Sequence, residues 1–308
     1  MIRIQHLSHE YPGVRALHDV SVRIEPQTIT ALVGPNGAGK TTLMRCLCGL
    51  ERPLAGEIEV DGINVIEEPR RSHERIGYLA DFFGVYEALS VAQCLEYAAA
   101  ANGIRSGLAP RVLETATSLG LADRLQQAAG TLSRGLRQRL AIAQAIIHGP
   151  RLLVLDEPAA GLDPEARHSL AALLRHLQAS GMTLLVSSHI LAELEEYATH
   201  MLIIDGGRIR DFRPLAPALR STRSLVLELA TATPAATHVL GAQAGVANLR
   251  QTDAALRFDF TGDRAAQAAL LKTLVMAGVP VSALHPERVD LQQLYLDTLK
   301  TPGSPHES

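Results

Sequence analysis

The residues with the clearest chemical meaning form a glycine-rich loop that ends in a lysine and two threonines. Residues 34–41 directly follow the apolar run 28–33 and fit the spacing Gly-x4-Gly-Lys-Thr, in which backbone N–H groups turn inward to collect phosphate oxygens. Thr41 offers a hydroxyl to Mg²⁺, and a helix that starts here would point its positive dipole end at the same phosphates. The alternative is an ordinary glycine-rich turn between a strand and a helix. The residues expected to contact phosphate are Gly34, Pro35, Asn36, Gly37, Ala38, Gly39, Lys40, Thr41 and Thr42.

A second chemical signal is a pair of carboxylates at the end of an apolar run. Residues 152–155 are all apolar and lead into Asp156, Glu157 and Pro158, as expected for a buried parallel strand that delivers acidic side chains to the edge of a sheet. Asp156 would lie beside Mg²⁺, and Glu157 could polarise a water for in-line attack on a γ-phosphate. An acidic pair that merely closes a strand is the alternative.

Three further segments identify the kind of nucleotide-binding protein. They are Leu-Ser-Arg-Gly-Leu at 132–136, Gly-Leu-Asp-Pro at 161–164 and Ser-Ser-His at 187–189, the last after the strand-like run 182–186. In this order they resemble the nucleotide-binding subunit of an ABC transporter, and the resemblance covers about residues 1–210.

The resemblance implies roles for residues outside the phosphate loop. Ser133 and Gly135 would face the γ-phosphate of ATP held by a second copy, and Ser133 is also a good helix N-cap. Asp163 would contact ATP across the dimer interface. His189 would hydrogen-bond the γ-phosphate and hold the attacking water, although a lone histidine after a strand is usually only a satisfied polar residue. Tyr11, expected in a loop after a strand at 2–7, would stack on adenine unless it is simply an exposed loop tyrosine.

The chain departs from the family pattern at two places. Arg134 and Leu136 stand where the full signature has glycine and glutamine, a variant that resembles many exporter ATPases. Asp81 stands where the family usually has the glutamine that contacts Mg²⁺. Its carboxylate can still bind the metal, but it brings an additional negative charge.

A short aromatic segment next to Asp81 predicts a docking surface. Phe82, Phe83 and Tyr86 would form a groove for a helix of an integral membrane permease subunit, since exposed aromatic side chains mark such surfaces. One of the rings could instead belong to the core.

Composition narrows the class of protein. The net charge of -3 and the pI near 6.5 give no general basic footprint for nucleic acid. No apolar run approaches the roughly 20 residues that cross a bilayer, and the N-terminus has no pattern of a secretory leader. The 3 cysteines form no disulfide framework. We therefore expect a cytoplasmic ATPase, peripheral at the inner face of the membrane, that needs a membrane partner for transport.

The predicted fold class is α/β: a P-loop NTPase domain of the ABC type over residues 1–212, with a mixed sheet core and a helical subdomain at about 88–148. A composition shift near 211–217 marks a small α+β domain at 213–300, whose βαββαβ order predicts a ferredoxin-like lobe. A last helix is expected from Glu287, and the tail 301–308 is expected to be disordered.

The resulting hypothesis is a subunit that binds and hydrolyses ATP with Mg²⁺ and drives a transporter, in the direction of export. A head-to-tail dimer of two copies would close over two ATP molecules and pull on the membrane subunits. Two alternatives remain open: a soluble ABC ATPase without a membrane partner, and a regulatory module that binds but does not hydrolyse ATP. The lobe would support the dimer or regulate it, with a small-molecule regulatory site as the other reading.

Overall fold

A six-stranded sheet forms the centre of the N-terminal part of the protein. The structure is a computed structural model that describes residues 1–81, 84–188, 190–215, 222–252 and 255–286. The central sheet has the order β10-β9-β3-β8-β7-β6. Its strands are β3 (Ile29–Val33), β6 (Ile76–Leu79), β7 (Leu152–Leu155), β8 (Thr183–Ser187), β9 (His200–Asp205) and β10 (Arg208–Pro214).

Five of these strands are parallel, so their carboxyl ends meet at one edge. The pairs β3–β8, β3–β9, β6–β7 and β7–β8 are parallel, and only β10 is antiparallel to its neighbour β9. The turn between β9 and β10 is made by Gly206 and Gly207, both with positive φ, as a tight two-residue hairpin requires. All residues of β3, β7 and β8 are buried, because both faces of the sheet are covered. The continuous apolar runs of the sequence reflect this burial.

A second, antiparallel sheet has the order β2-β1-β4-β5. Its strands are β1 (Ile2–Tyr11), β2 (Val14–Ile24), β4 (Ala55–Val60) and β5 (Ile63–Asn64). Tyr11 is the last residue of β1 and pairs with Val14 across a tight turn at Gly13. The prediction that β1 ends at Leu7 and that Tyr11 lies in a loop was therefore wrong, because hairpin pairing with β2 extends the strand. The helices around the two sheets are α1 (Lys40–Leu47) and α2 (Pro69–His73).

The helices on the other side of the central sheet form the larger apolar core. They are α3 (Val91–Ala101), α4 (Leu108–Ser118), α5 (Arg134–Ile146), α6 (Pro164–Ala179) and the short α7 (Leu191–Leu194), with single 3₁₀ turns at Ala122–Arg124 and Ala129–Thr131. Ser90 caps α3 through a reciprocal pair of hydrogen bonds with Gln93. The first two helices of the predicted helical subdomain are α3 and α4, and their apolar faces pack against each other and against α5.

The C-terminal part forms a separate small sheet with two helices. By their internal contacts, Met1–Leu215 and Ala216–Val289 belong to different compact units. The elements of the second unit are β11 (Thr222–Leu229), α8 (Pro234–Gly241), β12 (Val246–Thr252), β13 (Ala255–Thr261), α9 (Arg264–Met276) and β14 (Val281–Pro286). The antiparallel sheet order β12-β13-β11-β14 is that of a ferredoxin-like lobe, which confirms the predicted fold. Its core includes the alternating residues Leu256, Phe258 and Phe260.

Two expectations for the C-terminus fall on residues outside the described ranges. These are the helix from Glu287 and the tail 301–308. Within the described part of the chain, no helix combines the length and the apolar character needed to cross a membrane.

Candidate functional site

The glycine-rich loop connects β3 to α1 at the carboxyl edge of the central sheet. Gly37 and Gly39 have φ of 79° and 104°, values that glycine adopts without strain. A Cβ on Gly34 would lie 2.1 Å from the carbonyl oxygen of Ile204, so no larger residue fits there. The loop therefore needs glycine for space at one position and for backbone conformation at two others.

Lys40 is the first residue of α1 and is folded into the loop. Its side chain is buried, and Nζ donates hydrogen bonds to the carbonyl oxygens of Gly34 (2.7 Å) and Pro35 (3.2 Å). A buried ammonium needs such partners because desolvation is costly. The positive charge and the helix N-terminus are thus concentrated at the same loop, which is the arrangement that attracts phosphate.

Asp156 lies next to this loop and is almost fully buried, with 2 % of its surface exposed. Thr41 Oγ1 donates to Asp156 Oδ2 at 2.8 Å, and Ser187 Oγ donates to Oδ1 at 2.6 Å. The parallel register pairs Leu155 with Val186, so the next residue of each strand, Asp156 and Ser187, emerge side by side. Both carboxylate oxygens therefore accept hydrogen bonds from residues on two other elements, which fixes the carboxylate against the loop.

Glu157 follows Asp156 in a conformation that is unusual for a residue with a side chain. Its φ of 49° lies in the left-handed region, which costs about 1–3 kcal/mol outside glycine. The backbone N–H of Glu157 donates to Ser187 Oγ at 2.9 Å, and its carbonyl oxygen accepts from Ala160 N at 3.1 Å. Ser187 thus holds both the Asp156 carboxylate and the Glu157 peptide.

The acidic residues shift the pKa values of their buried neighbours. Burial, and then the negative charge of Asp156, raises the pKa of Tyr78 to about 12; Asp81 adds a smaller contribution in the same direction. Burial raises the pKa of the Cys48 thiol, and Asp156 adds to this shift. Burial and the charges of Glu193 and Glu157 raise the pKa of Tyr197. These groups stay protonated at neutral pH, so they add no negative charge to the site.

The oxygen ligands at the edge of the sheet suit a hard divalent cation. Thr41 and Asp156 present a hydroxyl and a carboxylate that lie 2.8 Å apart, and Asp81 follows β6 as an exposed residue. In the described ranges, no group of three or more His, Cys, Asp or Glu side chains could hold a metal ion. A hydroxyl and one or two carboxylates are the few protein ligands that Mg²⁺ usually takes, so Thr41, Asp156 and Asp81 fit this ion.

Ser133, Gly135 and Asp163 form a second cluster. Ser133 caps α5, where its Oγ accepts from Leu136 N at 3.3 Å, and Asp163 caps α6, where Oδ1 accepts from Ala166 N at 2.8 Å. All three line one cavity of about 390 Å³, and no residue of the phosphate loop lines it. The structure brings these three together, apart from the group around Lys40 and Asp156.

The remaining predicted residues lie at the periphery or outside the described ranges. Tyr11 is 36 % exposed, and its ring packs edge-on against His9 with 4.6 Å between the ring centroids. Tyr86 is exposed and packs edge-on against Tyr97 at 5.2 Å. Three predicted residues are not among those the structure describes: Phe82, Phe83 and His189.

Sequence reasoning assigned no role to Ser187, although a signal was present. Serine directly follows a buried strand in the same way that Asp156 does, and parallel strands end at the same edge. The loop after Glu157 also carries contacts that the sequence did not suggest. Arg134 Nη2 donates to the Ala160 carbonyl oxygen at 2.8 Å, and Arg167 Nε donates to the Leu162 carbonyl oxygen at 2.9 Å.

The chain is similar to known transport ATP-binding proteins. The family model described as ABC transporter matches residues 17–160. The chain is 33 % identical over 198 residues to the ABC transporter ATP-binding protein NatA of Bacillus subtilis, covering 64 % of this chain and 80 % of that protein. It is 34 % identical over 212 residues to the Nod factor export ATP-binding protein I of Cupriavidus pinatubonensis, covering 68 % and 64 %. It is 33 % identical over 287 residues to the methionine import ATP-binding protein MetN 2 of Salmonella choleraesuis, covering 89 % and 81 %.

Solved structures give the same picture of the fold. One is an ATP-binding subunit of an ABC transporter, with a TM-score of 0.62, 30 % identity, and coverage of 70 % of this chain and 90 % of that one. Another is a dimeric, post-hydrolysis ATP-binding cassette bound to ADP and Pi, with a TM-score of 0.63, 23 % identity, and coverage of 70 % and 100 %. At that identity the second likeness concerns the fold alone.

Proposed function

This chain belongs to the ABC transporter family of ATP-binding proteins and is an ATPase. We propose that it drives an exporter whose membrane-spanning subunits are separate chains. The observation that carries the proposal is the buried Asp156 carboxylate, which accepts hydrogen bonds from Ser187 and from Thr41, the residue after the lysine of the phosphate loop. This arrangement joins a carboxylate and a hydroxyl to the phosphate loop, as the Mg²⁺ site of a phosphoryl-transfer enzyme requires.

The loop and the sheet edge have separate duties in this proposal. Backbone N–H groups of Gly34 and of residues 36–42, together with the Lys40 ammonium, bind the β- and γ-phosphates of ATP. Thr41, Asp156 and Asp81 provide oxygen ligands for Mg²⁺, which when bound neutralises charge that develops on the phosphates. Tyr11 lies flat against adenine, for which its partly exposed ring is suited.

Glu157 is the proposed general base. It accepts a proton from a water whose oxygen attacks the γ-phosphorus, and the bond to the β-phosphate oxygen of ADP breaks. The hydrogen bond from Glu157 N to Ser187 Oγ supports this role, because it fixes the strained peptide that directs the side chain. His189 is proposed to hold the same water, on the resemblance of its segment to the family.

The second cluster implies a second copy. Ser133, Gly135 and Asp163 share a cavity without any phosphate-loop residue, so they are available to the ATP of a partner protomer in a head-to-tail dimer. Closure of the dimer over two ATP molecules, and its reopening after hydrolysis, would move the membrane subunits.

Export rather than import is the proposed direction. It is supported by the signature variant with Arg134 and Leu136 and by a relative that is named for Nod factor export. Import remains a second candidate because the methionine import relative matches 89 % of the chain. Transport by the assembled complex in vesicles with ATP outside would separate the two, since export carries substrate from the ATP-containing side to the lumen.

The proposed membrane partner docks near Phe82, Phe83 and Tyr86, and the chain would then lie at the cytoplasmic face. The exposed, edge-packed pair of Tyr86 and Tyr97 supports this location, because paired aromatic rings at a surface suit a partner helix. Phe83→Ser should reduce co-purification with the permease while ATP binding persists. As the control, Tyr11→Ala should weaken ATP binding while co-purification persists. Unchanged co-purification of Phe83→Ser would remove this part of the proposal.

The test of the whole proposal is Mg²⁺-dependent hydrolysis of ATP by the purified chain beside Glu157→Gln. We expect turnover by the wild type, loss of turnover in the variant, and an ATP-stabilised dimer of the variant in size-exclusion chromatography. Equal turnover by both proteins would exclude Glu157 as the base. An inactive wild type that does not dimerise even with its permease would favour the non-hydrolysing module.

A further inference from the structure

An arginine of the signature segment, residues 132–136, holds the loop that follows Glu157. Arg134 is the first residue of α5, between Ser133 and Gly135, and its Nη2 donates to the carbonyl oxygen of Ala160 at 2.8 Å. The contact joins two segments that are 26 residues apart in the sequence. Ala160 N in turn donates to the Glu157 carbonyl oxygen at 3.1 Å. A short chain of hydrogen bonds therefore connects the signature segment to the backbone of Glu157.

The loop is shaped to receive this guanidinium. Gly161 has φ of 67°, and a Cβ built on it would lie 2.3 Å from Arg134 Nη2 and 2.5 Å from Cζ. Any side chain at position 161 would thus displace the arginine. The glycine and the arginine are matched in space although neither is close to the other in sequence.

The other end of the loop is held by a second arginine. Arg167 Nε donates to the Leu162 carbonyl oxygen at 2.9 Å and lies 3.3 Å from Glu193 Oε1. Glu193 Oε2 accepts from Ser188 Oγ at 3.3 Å, and Ser188 directly follows Ser187. Residues on α6 and after β8 therefore hold one side of the loop, and Arg134 holds the other.

We propose that Arg134 is a positioning residue that couples the loop carrying Glu157 and Asp163 to Ser133 and Gly135 of the same protomer. The inference rests on the proposed dimer, in which Glu157 serves the ATP of its own protomer while Ser133 and Gly135 contact the ATP of the partner. Arg134 then links the two ATP sites of the dimer within one chain. A hydrogen bond from an exposed guanidinium adds little to folding stability, so the effect belongs to turnover rather than to the fold.

The activity test uses the full chain with three variants. We expect Arg134→Ala to lower kcat roughly tenfold while KM for ATP changes less than about twofold, because the phosphate loop is untouched. Arg134→Lys should recover part of kcat, since an ammonium can still donate to the Ala160 carbonyl oxygen. Arg137→Ala is the matched control: this arginine lies in the same helical turn but faces Glu87 at 3.9 Å, and its loss should leave kcat unchanged. Wild-type kcat in Arg134→Ala, or an equal loss in Arg137→Ala, would overturn the proposal.

Hydrogen exchange tests the contact independently of hydrolysis. In the nucleotide-free chain, amides of residues 159–163 should exchange several-fold faster in Arg134→Ala than in the wild type. In Arg137→Ala they should exchange at the wild-type rate. Gly161→Ala should cause a similar increase, and the double variant should exchange no faster than Gly161→Ala, because the arginine has already been displaced. Unchanged exchange in Arg134→Ala would overturn the inference. Failure of the proposed function would instead show as wild-type hydrolysis that Glu157→Gln does not abolish.

Discussion

Replacement of Ser187 by alanine tests most directly how Asp156 and Glu157 are held at the carboxyl edge of the central sheet. The hydroxyl is fully buried, donates to Asp156 Oδ1 at 2.6 Å and accepts from Glu157 N at 2.9 Å. Ser187→Ala removes only one oxygen atom, so the backbone of β8 can stay in place. The substitution removes the hydrogen-bond donor of Asp156 Oδ1 and the hydrogen-bond acceptor of the Glu157 backbone N–H.

The expected magnitude follows from these two contacts. A hydrogen bond to a charged group contributes about 1.5–3 kcal/mol, and a buried donor left unsatisfied costs about 1–3 kcal/mol. If only the first of these is lost in the transition state, kcat falls about 10- to 150-fold, since 1.36 kcal/mol corresponds to a factor of ten. KM for ATP should change less than about threefold, because Lys40 and its loop keep their own hydrogen bonds.

The assay is steady-state hydrolysis with Mg²⁺, combined with urea unfolding to confirm that the variant is folded. Ser180→Ala is the control, because this serine is the C-cap of α6 and its hydroxyl donates to the Leu177 carbonyl oxygen. A folded Ser187→Ala protein with kcat within twofold of the wild type would refute the reasoning that Ser187 holds Asp156 and Glu157 for catalysis. A large rise of KM with unchanged kcat would show that the hydroxyl serves ATP binding instead.

Two further predictions concern buried polar groups away from the reacting atoms. Thr30 is fully buried and its Oγ1 has no hydrogen-bond partner among the residues that the structure describes, so Thr30→Val should raise the free energy of unfolding by about 1 kcal/mol in urea titrations. The control is Thr28→Val, which removes a donor to the Glu25 carbonyl oxygen at 2.8 Å and should not raise the free energy of unfolding. A destabilised Thr30→Val protein would contradict the argument. Burial lowers the pKa of His148, with a smaller contribution from the Arg111 charge, and its Nε2 lies 3.2 Å from the Ile76 carbonyl oxygen. Because the folded pKa of His148 lies below the unfolded value of about 6.5, the neutral histidine contributes stability above pH 6.5 that is lost as pH falls through the folded pKa. Between about pH 7 and pH 5, His148→Gln should therefore lose less free energy of unfolding than the wild type. Identical dependence of the unfolding free energy on pH in the two proteins would exclude this contribution.

Local sequence patterns predicted the elements that are defined by neighbouring residues. The apolar run before residue 34 and the glycines within the loop indicated a strand, a phosphate loop and a helix, and the structure has β3, the loop and α1 in that order. The βαββαβ order of elements predicted the ferredoxin-like sheet, whose strand β13 buries the alternating residues Leu256, Phe258 and Phe260.

Contacts between distant segments could not be predicted in this way. Tyr11 belongs to β1 because it pairs with Val14, and strand ends depend on such pairing rather than on the residues themselves. The roles proposed for Tyr11, Asp81, Glu157, His189 and the signature residues remain predictions, since position in the fold does not establish what a side chain binds.

The sequence by itself determined the phosphate loop, because its requirements are local: glycine where φ is positive, and a lysine at the first turn of the helix. Only the tertiary structure decided which side chains hold Asp156 and the loop after Glu157. Ser187 reaches Asp156 across 31 residues because β7 and β8 are parallel and in register, and Arg134 reaches Ala160 because α5 packs beside the loop after Glu157. Such contacts arise from register and packing, which join residues that no spacing in the sequence relates.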